Sequence, residues 1–491
     1  MNNTKTSSLH TNMIFNIIYQ AITVASPIVV TPIISRAFGV SYLGLKSYTF
    51  SIVYYFAIFG VLGLDMYGQR TIALQKDDVQ SRSYSFFTIF NARFILVFIS
   101  TVLYVLFIII SGVEGIERIV FICWIVYLIR EMINPIWFLQ GMEMYTFLSV
   151  LGILSQLFYM VSTVLFVHSK DDLPLYILFY TVIPLFISLL YFPVVFRQVH
   201  FCRVKLQDIY IAVKHSVVYF VPTVAIAVYS MVDKTMLGLY DPQKISTGLY
   251  EASDRLVKVA LALSTASFTI MRTRMSYLHG NGDSTIYQIT SKKFMAFSLM
   301  LCWPIMFGII GISRDFVPIF FGDGFEDVIY LSCVFSIVVP CLTISGLLQA
   351  IYIFPYGMQK TMDFYYCIIV GVNIVMNVFL IYLLGTLGAI IASIVAEMML
   401  AIILLIRAKR DIEVEFIFFG SIKYVIASLT MLFFMHIISQ YSVLPIIIKL
   451  IFEFLTAVIV YFVSCLILQD WFVKSQFKRA IDIVYRMIIR E

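Results

Sequence analysis

Again and again this chain runs through some twenty apolar residues in a row, and that recurrence limits the fold more than any single motif. A helix rises 1.5 Å per residue, so about 20 apolar residues cross the hydrocarbon core of a bilayer. About fourteen stretches meet that length: 12–34, 44–64, 84–111, 118–139, 145–168, 173–196, 212–238, 246–270, 294–312, 327–353, 363–384, 386–407, 416–438 and 444–468. The eleventh and twelfth are separated only around Gly385, Thr386 and Gly388. The chain is 61% hydrophobic and 13% charged, against roughly 45–50% and 25% for a soluble domain. No core of this size hides so much apolar surface, so lipid is the solvent for most of the chain. The polar residues Met1 to His10 lead straight into a full-length apolar segment, without a short apolar region followed by a small-residue cleavage site. The first helix is therefore expected to be retained.

Loop charges test the count independently. With the N-terminus placed inside and sides alternated, Lys5, Arg70, Lys76, Arg82, the 197–214 loop, Arg272, Arg274, Lys292, Lys293, Lys360, the 407–410 loop and the C-terminal tail fall inside. Arg36, Lys46, Arg118, Lys170, Lys244 and Arg314 fall outside. That is about 21 basic residues against 6, a strong positive-inside bias. One early span more or less would invert the pattern, so the bias supports an even number of spans with both termini cytoplasmic.

The second half of the chain echoes the first. Gly44 and Gly248, and Arg70 and Arg274, share one offset of about 204 residues. Gln140-Gly141-Met142 is echoed by Tyr356-Gly357-Met358. These echoes predict two six-helix lobes, 1–200 and 201–410, followed by two extra helices within 411–470. Six is even, so both lobes enter the membrane the same way round. The repeat axis then lies along the membrane normal, with a central cavity between lobes. In the tail, 471–491, Ile481, Val484, Tyr485, Ile488 and Ile489 recur at helical spacing among basic residues. This predicts an amphipathic helix on the cytoplasmic leaflet.

The chain carries no signature of enzyme chemistry. It contains no glycine-rich nucleotide loop, no HExxH and no GxSxG. The seven cysteines form no CxxC pair and read as small buried hydrophobes rather than metal ligands or disulfides. The six histidines are scattered near span ends, and a net charge of +6 spread between spans points to no nucleic acid. With no cofactor and no ATPase motif, active transport here requires an ion gradient or a partner.

Charges inside spans are the informative residues, because a charge in hydrocarbon is costly and usually faces a cavity or a partner. Asp233, Lys234, Glu251, Asp254, Arg255 and Lys258 form the richest group, the last four on one helical face. Arg36 and Lys46 are the matching cations of the first lobe. Two readings stand: a self-neutralising network that joins helices, or a cationic cavity wall suited to a large anion such as a diphosphate. Arg130 and Glu131 are neighbours, which do not face each other on a helix, so each needs its own ion-pair partner. Glu397 and Asp65 read as hydrogen-bonded carboxyls or as sites for a proton or sodium ion. Lys423, Lys449 and Glu453 lie near span ends, where snorkelling to the interface is the default. Pro27 and Pro222, each in the opening helix of a lobe, predict kinks.

In order and spacing, these features resemble the Wzx-type polysaccharide flippases of the MOP superfamily, over essentially the whole chain. The resemblance rests on the first helix with Pro27, on Ile34-Ser35-Arg36 through Gly39 and Leu43-Gly44, and on Gly63-Leu64-Asp65 through Arg70. It rests further on Pro135 through Gln140-Gly141, and on Asp233-Lys234 with Gly248-Leu249-Tyr250 through Arg255. It implies an all-α membrane protein of MATE-like architecture in a bacterial inner membrane. Its cargo would be an undecaprenyl-diphosphate-linked oligosaccharide, turned to the outer leaflet for a polymerase and other export components. Arg36, Lys46, Lys234, Arg255 and Lys258 would bind the sugar-diphosphate head, and Asp233 and Glu397 would take part in Na+ or H+ coupling. A lipid II flippase, a teichoic-acid-type exporter and a MATE-type drug exporter are the alternatives within the superfamily. A membrane-embedded polymerase or ligase is the alternative of another class, and outer loops of about 15 residues at most weigh against it.

Overall fold

The computed structural model describes residues 3–441 and 445–489, and side chains for most of them. The elements are helices, with no strand among the described residues. In order they are α1 (Asn3–Val61), α2 (Leu64–Leu74), α3 (Val79–Ile110), α4 (Gly115–Cys123), α5 (Ile125–Ile133), α6 (Ile136–Gly141), α7 (Tyr145–Phe166), α8 (Leu173–Gln198), α9 (Leu206–Tyr240) and α10 (Ile245–Thr265). There follow α11 (Phe268–Gly280), α12 (Ser284–Phe321), α13 (Glu326–Phe335), α14 (Val338–Leu348), α15 (Gln359–Leu384), α16 (Thr386–Ala408), α17 (Glu415–Tyr441), α18 (Ile446–Ile467) and α19 (Trp471–Ile489).

Among the described residues, 12 helical segments are long and apolar enough to cross a membrane, or 13 when the halves of α9, bent by 54°, count as one span. This is a multi-pass membrane protein. The sequence count of about fourteen is not reached by this measure. Much of the difference lies in one segment, Ile18–Leu74, whose 57 residues would reach about 85 Å if straight, nearly three hydrocarbon cores. It merges the expected spans 12–34 and 44–64. Helix α1 runs through Pro27 and Pro32 and leaves helical geometry only at Gly39. The expected kink at Pro27 therefore falls instead at the glycine. The side chain of Pro222 lies outside the described residues.

The span predicted at 118–139 is one crossing segment, 115–141, jointed into α4, α5 and α6. Asn134 is extended (ψ 114) because the ring of Pro135 disfavours helical geometry in the residue before it. The Asn134 side-chain oxygen then accepts from the amide of Ile136, at 3.2 Å, as α6 begins. The close pair α15 and α16 is resolved at Gly385, whose φ of 56 and ψ of −128 suit a residue without a β-carbon.

The chain divides into two compact units, residues 1–251 and 252–491. Helix α9 belongs to the first of these units, since it packs on α1, α2 and α3. In the first unit, Phe86, Trp137, Phe138 and Leu139 form a core with Ile187 and Tyr191. On α3, Phe94, Ile95, Phe98, Ile99 and Val102 are exposed, a face for lipid. In the second unit α16 is an interior helix, with Gly388, Ala389, Ala392, Ser393 and Ala396 buried, small residues that let backbones approach. Helix α19 continues the chain to Ile489, but the side chains of Ile481, Val484, Tyr485, Ile488 and Ile489, on which the amphipathic reading rests, lie outside the described residues.

Asp78 caps α3, accepting from the amides of Gln80 (2.9 Å) and Ser81 (3.3 Å) and from the Ser81 hydroxyl. The hydroxyl of Ser81 first, then these amides, hold the exposed carboxyl below its usual range. A group with a depressed folded pKa stabilises above its unfolded value and loses that stabilisation as pH falls. Asp78→Ala should therefore lower the thermal midpoint at pH 7. The gap from wild type should close as the pH drops through and below about 4, the ordinary carboxylate value. Equal midpoints at pH 7 would refute the cap.

Candidate functional site

In the first unit, α1, α9 and the start of α10 gather the predicted residues Lys46, Lys234 and Asp233 around Glu251. Lys234 Nζ lies 2.6 Å from one oxygen of Glu251 and Lys46 Nζ 3.6 Å from the other. Asp233 accepts from the hydroxyl of Tyr250 at 2.6 Å. Asp233 and Glu251 are each 5% exposed. Glu251 thus bridges the two lysines, and the residues of this cluster make further contacts. Beside it, Lys244 donates to the carbonyl of Gly238 at 2.7 Å and sits over the ring of Tyr48 at 4.3 Å.

The backbone sets up this convergence. A β-carbon on Gly44 would lie 1.9 Å from the carbonyl oxygen of Lys244, and one on Gly248 would lie 2.0 Å from that of Val40. Val40 and Lys244 are separated by the same 204 residues as Gly44 and Gly248, so the crossing is self-complementary in the sense of a two-fold contact. The glycine echo in the sequence marks a close crossing of α1 with the start of α10.

Arg36 is exposed on α1. Arg255 is half-buried and Lys258 exposed, both in the part of α10 that belongs to the second unit. Lys258 pairs with Asp254 at 2.8 Å, one helical turn away. Glu397 is 5% exposed on α16.

The sequence reading missed Arg93. This residue, 1% exposed on α3, donates to Asp65 of α2, to Glu131 Oε2 at 2.8 Å and to the Glu131 carbonyl at 2.6 Å. Its guanidinium fork is the partner that Glu131 needs, and Arg130 adds a contact at 3.6 Å. The signal was present as an arginine near the middle of the expected span 84–111.

Contrary to the expectation for helix neighbours, Arg130 and Glu131 touch at 3.6 Å, yet they line different hollows of the first unit. Arg130 lines a cavity of about 270 Å³ with Tyr19, Gln156, Tyr159, Tyr180 and Tyr191. Glu131 and Asp65 line a second, of about 210 Å³, with Tyr54 and Tyr127. The first combines a guanidinium with phenol hydroxyls and an amide, groups that hydrogen-bond phosphate oxygens and sugar hydroxyls. Among the described residues, no group of three or more His, Cys, Asp or Glu is placed to hold a metal ion.

Solved structures share this all-helical architecture. The structure titled lipid II flippase MurJ, in an inward closed conformation, matches with a TM-score of 0.72 over 94% of this chain and 99% of that one, at 15% identity. An inward-facing multidrug-resistance MATE transporter of the MOP superfamily matches with a TM-score of 0.59 over 80% of this chain and 94% of that one, at 11% identity. At such identities the likeness is one of fold. A protein of Escherichia coli (strain K12) named for O-antigen transport is 24% identical over 173 residues, 35% of this chain. The matched stretch spans 41% of that relative's length. The profile of the family described as polysaccharide biosynthesis protein matches residues 9–271, more than half of the chain. This chain belongs to that polysaccharide biosynthesis family, as its resemblance to Wzx-type flippases implies.

Proposed function

We propose that this protein is a flippase. It carries an undecaprenyl-diphosphate-linked oligosaccharide from the inner to the outer leaflet of a bacterial inner membrane, where a polymerase extends it into capsule, exopolysaccharide or O-antigen. The observation that carries this reading is the family match over residues 9–271. That stretch contains every cation proposed to meet the cargo: Arg36, Lys46, Lys234, Arg255 and Lys258, and also Arg130, proposed because it lines a tyrosine-rich cavity. The obstacle is the sugar-diphosphate head, since the polyprenyl tail stays in lipid. Guanidinium and ammonium groups replace the hydration of the diphosphate, and the tyrosines around Arg130 supply hydroxyls to sugars. No bond is made or broken, so the protein acts as a transporter and not an enzyme. An ion gradient, H+ or Na+, drives the cycle through Asp233 and Glu397, with both termini cytoplasmic. The lobes are 1–200 and 201–410, with α17 and α18 outside the repeat.

Cells lacking the protein should accumulate lipid-linked repeat units on the cytoplasmic side. Arg130→Ala, Arg36→Ala and Arg255→Ala should each restore less than about a tenth of surface polymer, a deficit of about 1.4 kcal/mol in a rate-limiting step, at unchanged membrane levels. Full restoration by a variant removes that residue from the site. Repeat units reaching the outer leaflet at the normal rate in the deletion strain overturn the function itself. The whole-chain fold match to the MurJ structure favours lipid II as a second cargo. Rescue of cells depleted of their lipid II flippase would establish that reading.

A further inference from the structure

The end of α12 and the hairpin of α17 and α18 enclose a polar cluster that none of the readings above uses. Lys449 Nζ of α18 lies 2.7 Å from Asp315 Oδ2 of α12, and the hydroxyl of Ser439 on α17 donates to the same oxygen at 3.0 Å. One turn along α18, Glu453 is 0% exposed. Neither of its carboxyl oxygens has a hydrogen-bond donor among the described residues. Its polar neighbours are Asp315 and Lys449. The sequence reading had Lys449 and Glu453 snorkelling to the interface. The structure turns both inward instead, with Lys449 12% exposed at its side chain, because Asp315 on α12 offers a buried partner.

The charges here do not close. One ammonium serves two carboxyls, and Asp315 already holds it. Among the described residues, the other charged groups of the elements packed around α18 do not help: Arg314, beside Asp315 on α12, is exposed, Lys423 of α17 donates to the Gln469 carbonyl, His436 of α17 is exposed and bonded to Gln440, and Asp470, which precedes α19, is bonded to Tyr424. An ionised carboxylate buried without a donor costs several kcal/mol, whereas two carboxyls in contact readily share one proton. A protonated Glu453 has a donor to offer and Asp315 has an acceptor. A metal cation is disfavoured, because the Lys449 ammonium already occupies the Asp315 carboxylate.

We propose that Asp315 and Glu453, with Lys449, form a proton-binding site in which Glu453 holds a proton at neutral pH and shares it with Asp315. The site ties the C-terminal hairpin to α12, so proton loss would leave two carboxylates on one lysine and loosen that contact. The inference depends on the membrane-embedded packing of the second unit and not on the identity of the cargo.

The test is infrared difference spectroscopy on the full chain in lipid nanodiscs at pH 7, wild type minus Glu453→Gln. The expected result is the C=O stretch of one protonated carboxyl in the wild type, shifted by D2O and missing from the variant. Glutamine mimics the protonated acid, so the variant should fold. Asp315→Asn is the second variant: it frees Lys449 for Glu453, and the protonated band should again vanish. Carboxylate bands in place of the protonated band, in either difference spectrum, overturn the proposal. A carboxylate band that shifts on adding sodium chloride, but not choline chloride, overturns it in favour of a sodium site.

Discussion

Alanine in place of Gly248 should stop polymer export while the protein still reaches the membrane. Taken alone, Gly→Ala inside a helix is favourable by about 1 kcal/mol. Here the new β-carbon would meet the carbonyl oxygen of Val40 at 2.0 Å, far inside van der Waals contact. The conflicting atom is backbone, which no rotamer change can remove. Overpacking of this kind costs about 1–3 kcal/mol, so the clash wins. To relieve it, α1 and α10 must part by more than an ångström. That disturbs the Ser41 hydroxyl on the carbonyl of Gln243 (2.5 Å) and the pairing of Lys46 with Glu251. Gly44→Ala should behave alike, because the contact is reciprocal. The double variant should be little worse than either single one, since all three lose one shared crossing. Surface polymer measured against membrane protein level reads the effect. Normal export from Gly248→Ala at normal expression would show that the crossing tolerates separation.

Removing the side chain of Arg93 should destabilise the protein more than any other single change considered. Breaking a buried ion pair costs about 3–5 kcal/mol, because the remaining charge is left without compensation. Arg93 is nearly fully buried, and Glu131, at 12% side-chain exposure, is the partner that suffers. Asp65 is 47% exposed at its side chain, so water screens its share and most of the loss falls on Glu131. Arg93→Ala should lose much of the folded protein on detergent extraction. Arg93→Lys should recover little, since an ammonium cannot reproduce a fork that reaches Asp65, Glu131 and the Glu131 carbonyl together. Pairing Arg93→Met with Glu131→Gln should recover part of the thermal midpoint. An Arg93→Ala protein that melts with the wild type would remove this ion network from the account of stability.

Much of the fold was legible in the sequence, for a reason visible at individual elements. Helix α3 (Val79–Ile110) contains the expected span 84–111 almost in full, and α16 (Thr386–Ala408) that at 386–407. Where local chemistry interferes, the detail differs. The expected span at 118–139 is one crossing segment, jointed at Trp124 and again at Pro135, and Gly39, not Pro27, interrupts α1. The site was less legible. The sequence marks Asp233, Lys234 and Glu251 as charges inside spans and Lys46 as a cation flanking the first outer loop, but nothing local says that Glu251 holds both lysines. The sequence reads Arg130 as a structural ion-pair residue, which its 3.6 Å contact with Glu131 fits, but nothing local says that it also lines a tyrosine-rich hollow. Arg93 went unremarked, although it binds Asp65 and Glu131 from 28 and 38 residues away.

The amino-acid sequence by itself determined that this chain lives in lipid as a bundle of long helices. A bilayer acts on each segment separately, demanding about twenty apolar residues whatever the rest of the chain does. The glycine echo at an offset of 204 residues was equally plain as a pattern. Only the tertiary structure decided what these features meet: Gly44 against Lys244, Arg93 between two acids, and Glu453 facing Asp315 with no donor of its own. Such pairings join helices far apart in the chain, and they are fixed by packing and by the cost of an uncompensated charge in a low-dielectric interior, neither of which leaves a periodic trace along one strand of sequence.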